Sequence, residues 1–236
     1  MQWSSEALII GTRRHGETSL IIEVMTEQRG RHLGLVRGGR SRRFKAMLQP
    51  GNSVLVNWRA RLDEHLGAFT VEPLAQRAAA LMESRDRLYL SQLVCEHLRL
   101  LPERDPHPRL YREALAMIGD GDDRLATAAA LARFELHLLD DLGFGLDLES
   151  CAATGSNDNL IYVSPKTGRA VSASAGEPYR DKLLALPGFL IGEGEAGKEA
   201  VLAGLRLTGH FLGEHVWLAR QIEPPQTRDR LIWALL

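Results

Sequence analysis

Seven Lys or Arg residues and no Asp or Glu fall within RGRHLGLVRGGRSRRFK, residues 29–45. Cations without local carboxylates cannot neutralise one another, so such a run calls for an outside anion, and the phosphate backbone of a nucleic acid suits it. Arg31, His32, Arg37, Arg40, Arg42, Arg43 and Lys45 are the candidate phosphate contacts, joined by Arg14 from the RRHGE turn. Arg13, Arg59 and Arg61, on neighbouring segments, extend the same patch. Phe44 inside the run and Trp58 beyond it are candidate stacking platforms, worth ~1–3 kcal/mol per base, although Trp58 equally suits a core. Phosphate contacts carry no sequence information, and nothing in the run points to readout of base edges. The competing reading is a solvated loop whose charges merely repel.

Other chemistry finds less support. His15 and His32 adjoin arginines, but no carboxylate or further histidine follows at catalytic or ligand spacing. Asp140, Asp141, Asp147 and Glu149 in RFELHLLDDLGFGLDLESC invite a metal-dependent nuclease reading. Asp140 and Asp141 are neighbours on a helix and point in different directions, so a core helix with a solvated acidic end fits better. DGDD at 120–123 reads as a turn and helix cap, lacking the spacing and terminal Glu of a calcium loop. No phosphate-binding glycine loop, dinucleotide fingerprint or nucleophile elbow is present. A binding protein is expected, with no catalytic residue and no cofactor.

These residues must be positioned by a chain of 236 residues that is 44% hydrophobic and 25% charged, enough for a substantial core. Its net charge of -1 hides an asymmetry. Residues 1–80 hold 12 Lys/Arg against 7 Asp/Glu, and residues 81–236 hold 17 against 23. Cys95 and Cys151 form neither a CxxC pair nor a disulfide framework. No secretory leader and no apolar run of membrane-spanning length is visible, so a cytoplasmic protein is expected, nucleoid-associated if its basic run holds DNA.

Short β-rich segments at 6–12, 19–26, 32–38, 53–60 and 66–73, separated by turn residues, predict an α+β protein opening with a small five-stranded barrel of OB type, a signature that SH3-like barrels share. GGRSRRFKAMLQPGN is expected to be a loop between two of these strands. Apolar residues at helical spacing predict helices from 76 to 101, at 109–118 and at 124–144. Residues 151–180 read as a small β-containing excursion. Helical pattern returns at 181–186, 196–215 and 227–236. The predicted division is a barrel domain at 1–77 and a helical domain at 78–236.

The segments MQWSSEALIIGTRRHGETSLIIEVMTEQRGRHLGLVRGGRSRR, LQPGNSVLVNWRARLDEHLG, RFELHLLDDLGFGLDLESC and TRDRLIWALL together resemble the RecO family of bacterial recombination mediators, in its alphaproteobacterial form. The resemblance implies an OB fold, a helical domain and a small zinc-finger-like insertion. It implies binding of single- and double-stranded DNA, annealing of complementary strands, and, with RecR, loading of RecA onto SSB-coated DNA. The acidic, apolar-ended SSB tail would meet Arg133 at the start of RFEL, with Arg206 and Arg220 as looser candidates. One departure stands out. Where zinc-binding members carry two CxxC pairs, this chain has Cys151-Ala152-Ala153-Thr154 and Ser172-Ala173-Ser174-Ala175. Ser, Thr and Ala are not structural zinc ligands, so the insertion is expected to fold through strand pairing and the packing of Leu160, Tyr162 and Val171. An RNA-binding or ribosome-associated OB protein is the alternative, since it would use the same physics.

Overall fold

The computed structural model describes residues 1–62, 64–119 and 123–235. Five strands form where β-branched and aromatic residues concentrate: β1 (Gln2–His15), β2 (Ser19–Thr26), β3 (Gly30–Val36), β4 (Ser53–Arg59) and β5 (Ala68–Ala75). They close into a barrel in the order β1-β2-β3-β5-β4, with β1 pairing both β2 and β4. Closure leaves no open edge, and its one parallel contact sets Leu35 of β3 opposite Ala68 of β5. This is the OB-type arrangement that the strand spacing predicts.

Side-chain alternation decides what fills the barrel. Ala7 and Ile9 of β1, Ile22 and Val24 of β2, and Val56 and Trp58 of β4 point inward and are fully buried. Leu8 and Ile10 have the opposite parity yet are also buried, because a helix packs over this part of β1. That two-sided burial explains why ALIIG is a continuous apolar run rather than an alternating one. Gly34 is required by packing: a Cβ there would lie 2.4 Å from the ring of Phe69. Gly30, at φ +65, leaves room for the Asp105 carbonyl, which would sit 1.9 Å from any Cβ.

The segment expected to be a loop after β3 contains a short helix, α1 (Arg42–Met47). Phe44, Met47 and Leu48 stand three and four residues apart, and that spacing turns all three toward one end of the barrel core. Burial of Met47 and Leu48 organises a stretch whose arginines and glycines would not form a helix alone.

Beyond the barrel come α2 (Ala78–Met82), α3 (Arg85–Leu98) and α4 (Pro108–Gly119). The single helix expected from 76 to 101 is thus two, because Ser84 adopts an extended backbone between them. The residues Met1–Asp120 and Pro225–Ala234 make one compact unit.

The second unit spans Gly121–Pro224. Its α5 (Arg124–Asp141) begins at Asp123, whose carboxylate accepts from the backbone N–H groups of Leu125 and Ala126 at 2.9 and 3.0 Å. Asp123 is the cap expected from DGDD; the other three residues of that motif lie outside the described residues. A small three-stranded sheet follows, ordered β7-β6-β8, from β6 (Leu160–Val163), β7 (Ala170–Ser172) and β8 (Leu184–Ala185), with α6 (Ala173–Gly176) after β7. The helix expected at 181–186 is not there. A 3-10 turn ends at Lys182, and Leu184 and Ala185 pair with Val163 and Tyr162, so sheet pairing overrides a short helical pattern. Helix α7 (Lys198–Leu212) packs on α5, and the Thr208 hydroxyl donates to the fully buried Glu135 carboxylate at 2.5 Å. It continues as a wider i→i+5 turn over Gly213–Leu218. The last helix, α8 (Gln226–Leu235), belongs for most of its length to the first unit.

Candidate nucleic-acid interface

Helix α1 projects its cations in several directions, because successive helical residues are turned by about 100°. Arg43 and Lys45, two residues apart, face opposite ways. On one side a broad groove of about 1080 Å³ runs over β4, β5 and the end of β3. Arg37, Arg43, Arg59 and Arg61 line it, with Glu72 as the one carboxylate among the lining residues. The Arg43 guanidinium lies 5.8 Å from the centroid of the Phe44 ring, and Phe44 itself rests on the barrel core. On the other side a cleft of about 480 Å³ is lined by Arg13, Arg14, Arg40 and Lys45, without any carboxylate.

Arg40 is held in place at that second cleft. Its guanidinium donates to the backbone carbonyls of Glu17 and Gly16, in the turn between β1 and β2. Carbonyl partners orient the group and leave its charge uncompensated. Arg42 points into a third recess, of about 420 Å³, with Ala46, Ala78, Ala79 and Met82 beside it. Arg13, Arg14, Arg37, Arg40, Arg42, Arg43 and Lys45 are all exposed, and none pairs with a described carboxylate. The structure also adds residues that their types do not advertise. Asn57 and Thr70, paired across β4 and β5, line the broad groove. Their parity, opposite to buried Trp58 and Val71, is the sequence signal that locates them.

Two members of the predicted set lie elsewhere. The Arg31 side chain is only 19% exposed and is ion-paired with Glu23, whose other carboxylate oxygen takes the Arg99 Nε at 2.9 Å. Arg31 thereby ties β3 to β2 and to the end of α3, and its charge is already compensated. His32 is 4% exposed. It shares the inward parity of Val36 and packs edge-on against Trp3 and Trp58, at centroid distances of 5.0 and 6.1 Å. Neither is available to a phosphate in this arrangement. Trp58 is fully buried, stacked on Trp3 and donating its indole N–H to the Leu66 carbonyl at 3.2 Å, so it is core and not a stacking platform.

In the second unit, exposed Arg133 sits over the Phe189 ring at 5.1 Å and donates from Nε to the Phe189 carbonyl at 3.4 Å. Arg206 is exposed on α7, and Arg220 is exposed beyond the wide turn. Asp147 is ion-paired with Arg169 at 3.0 Å. In the β-containing excursion, Leu160 and Val171 are buried, with Leu160 opposite Ser172 and Tyr162 opposite Val171. Cys151 is 1% exposed, and its sulfur accepts from the Ser172 N–H at 3.3 Å. The Ser172 hydroxyl, then the Thr154 hydroxyl, draw its thiol down to about 6. One sulfur among hydroxyls does not fit a structural zinc site, and no group of three His, Cys, Asp or Glu among the described residues could hold a metal ion. No described helix is long and apolar enough to cross a membrane.

Comparison with known proteins agrees with this architecture along the chain. Residues 1–77 match the family model for Recombination protein O N terminal, and residues 82–220 match that for Recombination protein O C terminal. DNA repair protein RecO of Methylobacterium nodulans is 56% identical over 238 residues, covering 98% of this chain and 97% of that protein. DNA repair protein RecO of Sinorhizobium medicae is 56% identical over 238 residues, covering 100% of this chain and 95% of that protein. The Rhizobium etli protein of the same name is 57% identical over 239 residues, covering 100% and 93%. The chain therefore belongs to the RecO family of DNA repair proteins.

Proposed function

We propose that this chain is a recombination mediator that holds single- and double-stranded DNA by its phosphates on the barrel, anneals complementary strands and, with RecR, helps RecA load onto SSB-coated DNA. The observation that carries the reading is the ring of exposed, carboxylate-free cations around α1: Arg13, Arg14, Arg37, Arg40, Arg42, Arg43 and Lys45. Bringing two polyanions together is opposed by their mutual repulsion. Fixed cations lower that barrier, and the release of condensed counterions supplies the driving force. The role is one of binding and positioning and requires no bond-making group. Arg133 is the proposed contact for the acidic SSB tail, since its guanidinium is exposed beside an aromatic ring. Nucleoid association follows from the same DNA affinity.

Salt dependence tests the reading. If about four cations contact one single strand, log K falls with log salt at a slope near -3, at roughly 0.7 per contact. A slope near zero would remove the cationic surface from the mechanism. Equal-length single-stranded RNA that competes better than DNA would favour the RNA-binding alternative.

A further inference from the structure

The two cationic clefts beside α1 have no lining residue in common. One presents Arg37, Arg43, Arg59 and Arg61, the other Arg13, Arg14, Arg40 and Lys45. The helix between them, with its side chains, is about 10–12 Å across. At physiological salt the Debye length is about 8 Å, so cations on one side of the ridge do little for phosphates on the other. A strand in either cleft must therefore be neutralised by that cleft alone, and each holds four cations to do it.

The geometry points to α1 as a divider between two separate single-strand sites, the smaller cleft taking the second strand of a complementary pair. The inference rests on the DNA-binding reading above and adds to it a second site and its ligand, a single-stranded phosphodiester backbone. Three features support it. The smaller cleft contains no carboxylate, so nothing in it repels a phosphate. Arg40 is anchored to the β1–β2 turn, which fixes that wall before any DNA arrives. The divider is itself fixed, because Met47 and Leu48 bury its far end in the core. Two strands so held lie one helix width apart, each screened, with their bases free to meet over the ridge.

The test uses the full chain and two charge-removal variants, R13A/R14A/K45A and R37A/R43A/R59A. Stoichiometry is measured with a labelled oligothymidylate of about six nucleotides, within the range that one OB fold covers. Annealing is measured with longer complementary strands. The wild type is expected to bind two oligothymidylates per chain. Each variant is expected to bind one, with a salt slope near -3 retained at the remaining site, and to lose annealing at least tenfold. A wild type that binds one short strand per chain would overturn the two-site inference while leaving DNA binding intact. So would a variant that weakens the binding of every strand in parallel with annealing. A wild type with no salt-dependent binding would overturn the parent reading instead. Variants restoring charge, R13K/R14K and R37K/R43K/R59K, separate loss of charge from misfolding: annealing returns if the clefts act through charge, and its failure to return in folded protein would overturn the inference.

Discussion

Replacing Arg31 by Ala separates a structural cation from a DNA-binding one. Arg31 lies in the basic run, yet its guanidinium spans the Glu23 carboxylate, which also binds Arg99 and is itself only 9% exposed at the side chain. Removing Arg31 leaves Glu23 largely buried with half of its compensation. Losing one partner of a fully buried pair costs about 3–5 kcal/mol, and an exposed pair contributes ~0–1 kcal/mol. Arg31 at 19% exposure and Arg99 at 54% place this network between those limits, so a loss of about 2 kcal/mol is expected. For a unit of this size 1 kcal/mol moves Tm by about 3–5 °C, so the transition containing the barrel should fall by roughly 6–10 °C. Calorimetry suits the measurement, because two compact units can melt in separate steps. The slope of log K against log salt should stay as in the wild type. An unchanged Tm together with a slope shallower by about 0.7 would refute this account and return Arg31 to the phosphate contacts.

Changing Arg40, Arg42 and Arg43 together to Ala should weaken binding to unrelated DNA sequences alike and, with one cation lost from each cleft, make the salt slope shallower by about 0.7 at each; loss for one sequence only would argue for base readout. Gly34→Ala should destabilise the barrel by about 1–3 kcal/mol in denaturant titrations, since the added methyl would overlap the Phe69 ring. The two cysteines should titrate far apart by ultraviolet thiolate absorbance. Cys151, held down mainly by the Ser172 hydroxyl, should ionise near pH 6, in a signal absent from Cys151→Ser, while burial keeps Cys95 a thiol up to about 12. The Cys151 value is depressed, so its contribution to stability is present above its ordinary 9.0 and is lost as pH falls through about 6; a Cys151→Ser penalty that grew on acidification would contradict this.

The barrel was legible because its strands carry a strong local signal, and the misreadings trace to interactions that have none. β1 runs from Gln2 to His15, well beyond the apolar ALIIG, because backbone pairing to Arg59 at one end and Ser19 at the other continues where side chains are polar. Helix α1 was hidden among arginines and glycines, although Phe44, Met47 and Leu48 carried the spacing that shapes it. His32 and Arg31 show two different limits. Strand parity with Val36 was enough to send His32 inward, so that burial was readable from the local pattern. Arg31 has the outward parity of Leu33, Leu35 and Arg37, and only its ion pairs with Glu23 on the neighbouring strand and with Glu103, 72 positions along the chain, distinguish it from an open surface cation. The division of the remaining cations has the same origin. One basic run supplies both sides of α1, and the partners that complete each cleft come from β1 on one side and from β4 and its following turn on the other. Linear charge density marks the run as cationic, and only barrel closure sorts its cations, with those of β1 and β4, into two clefts.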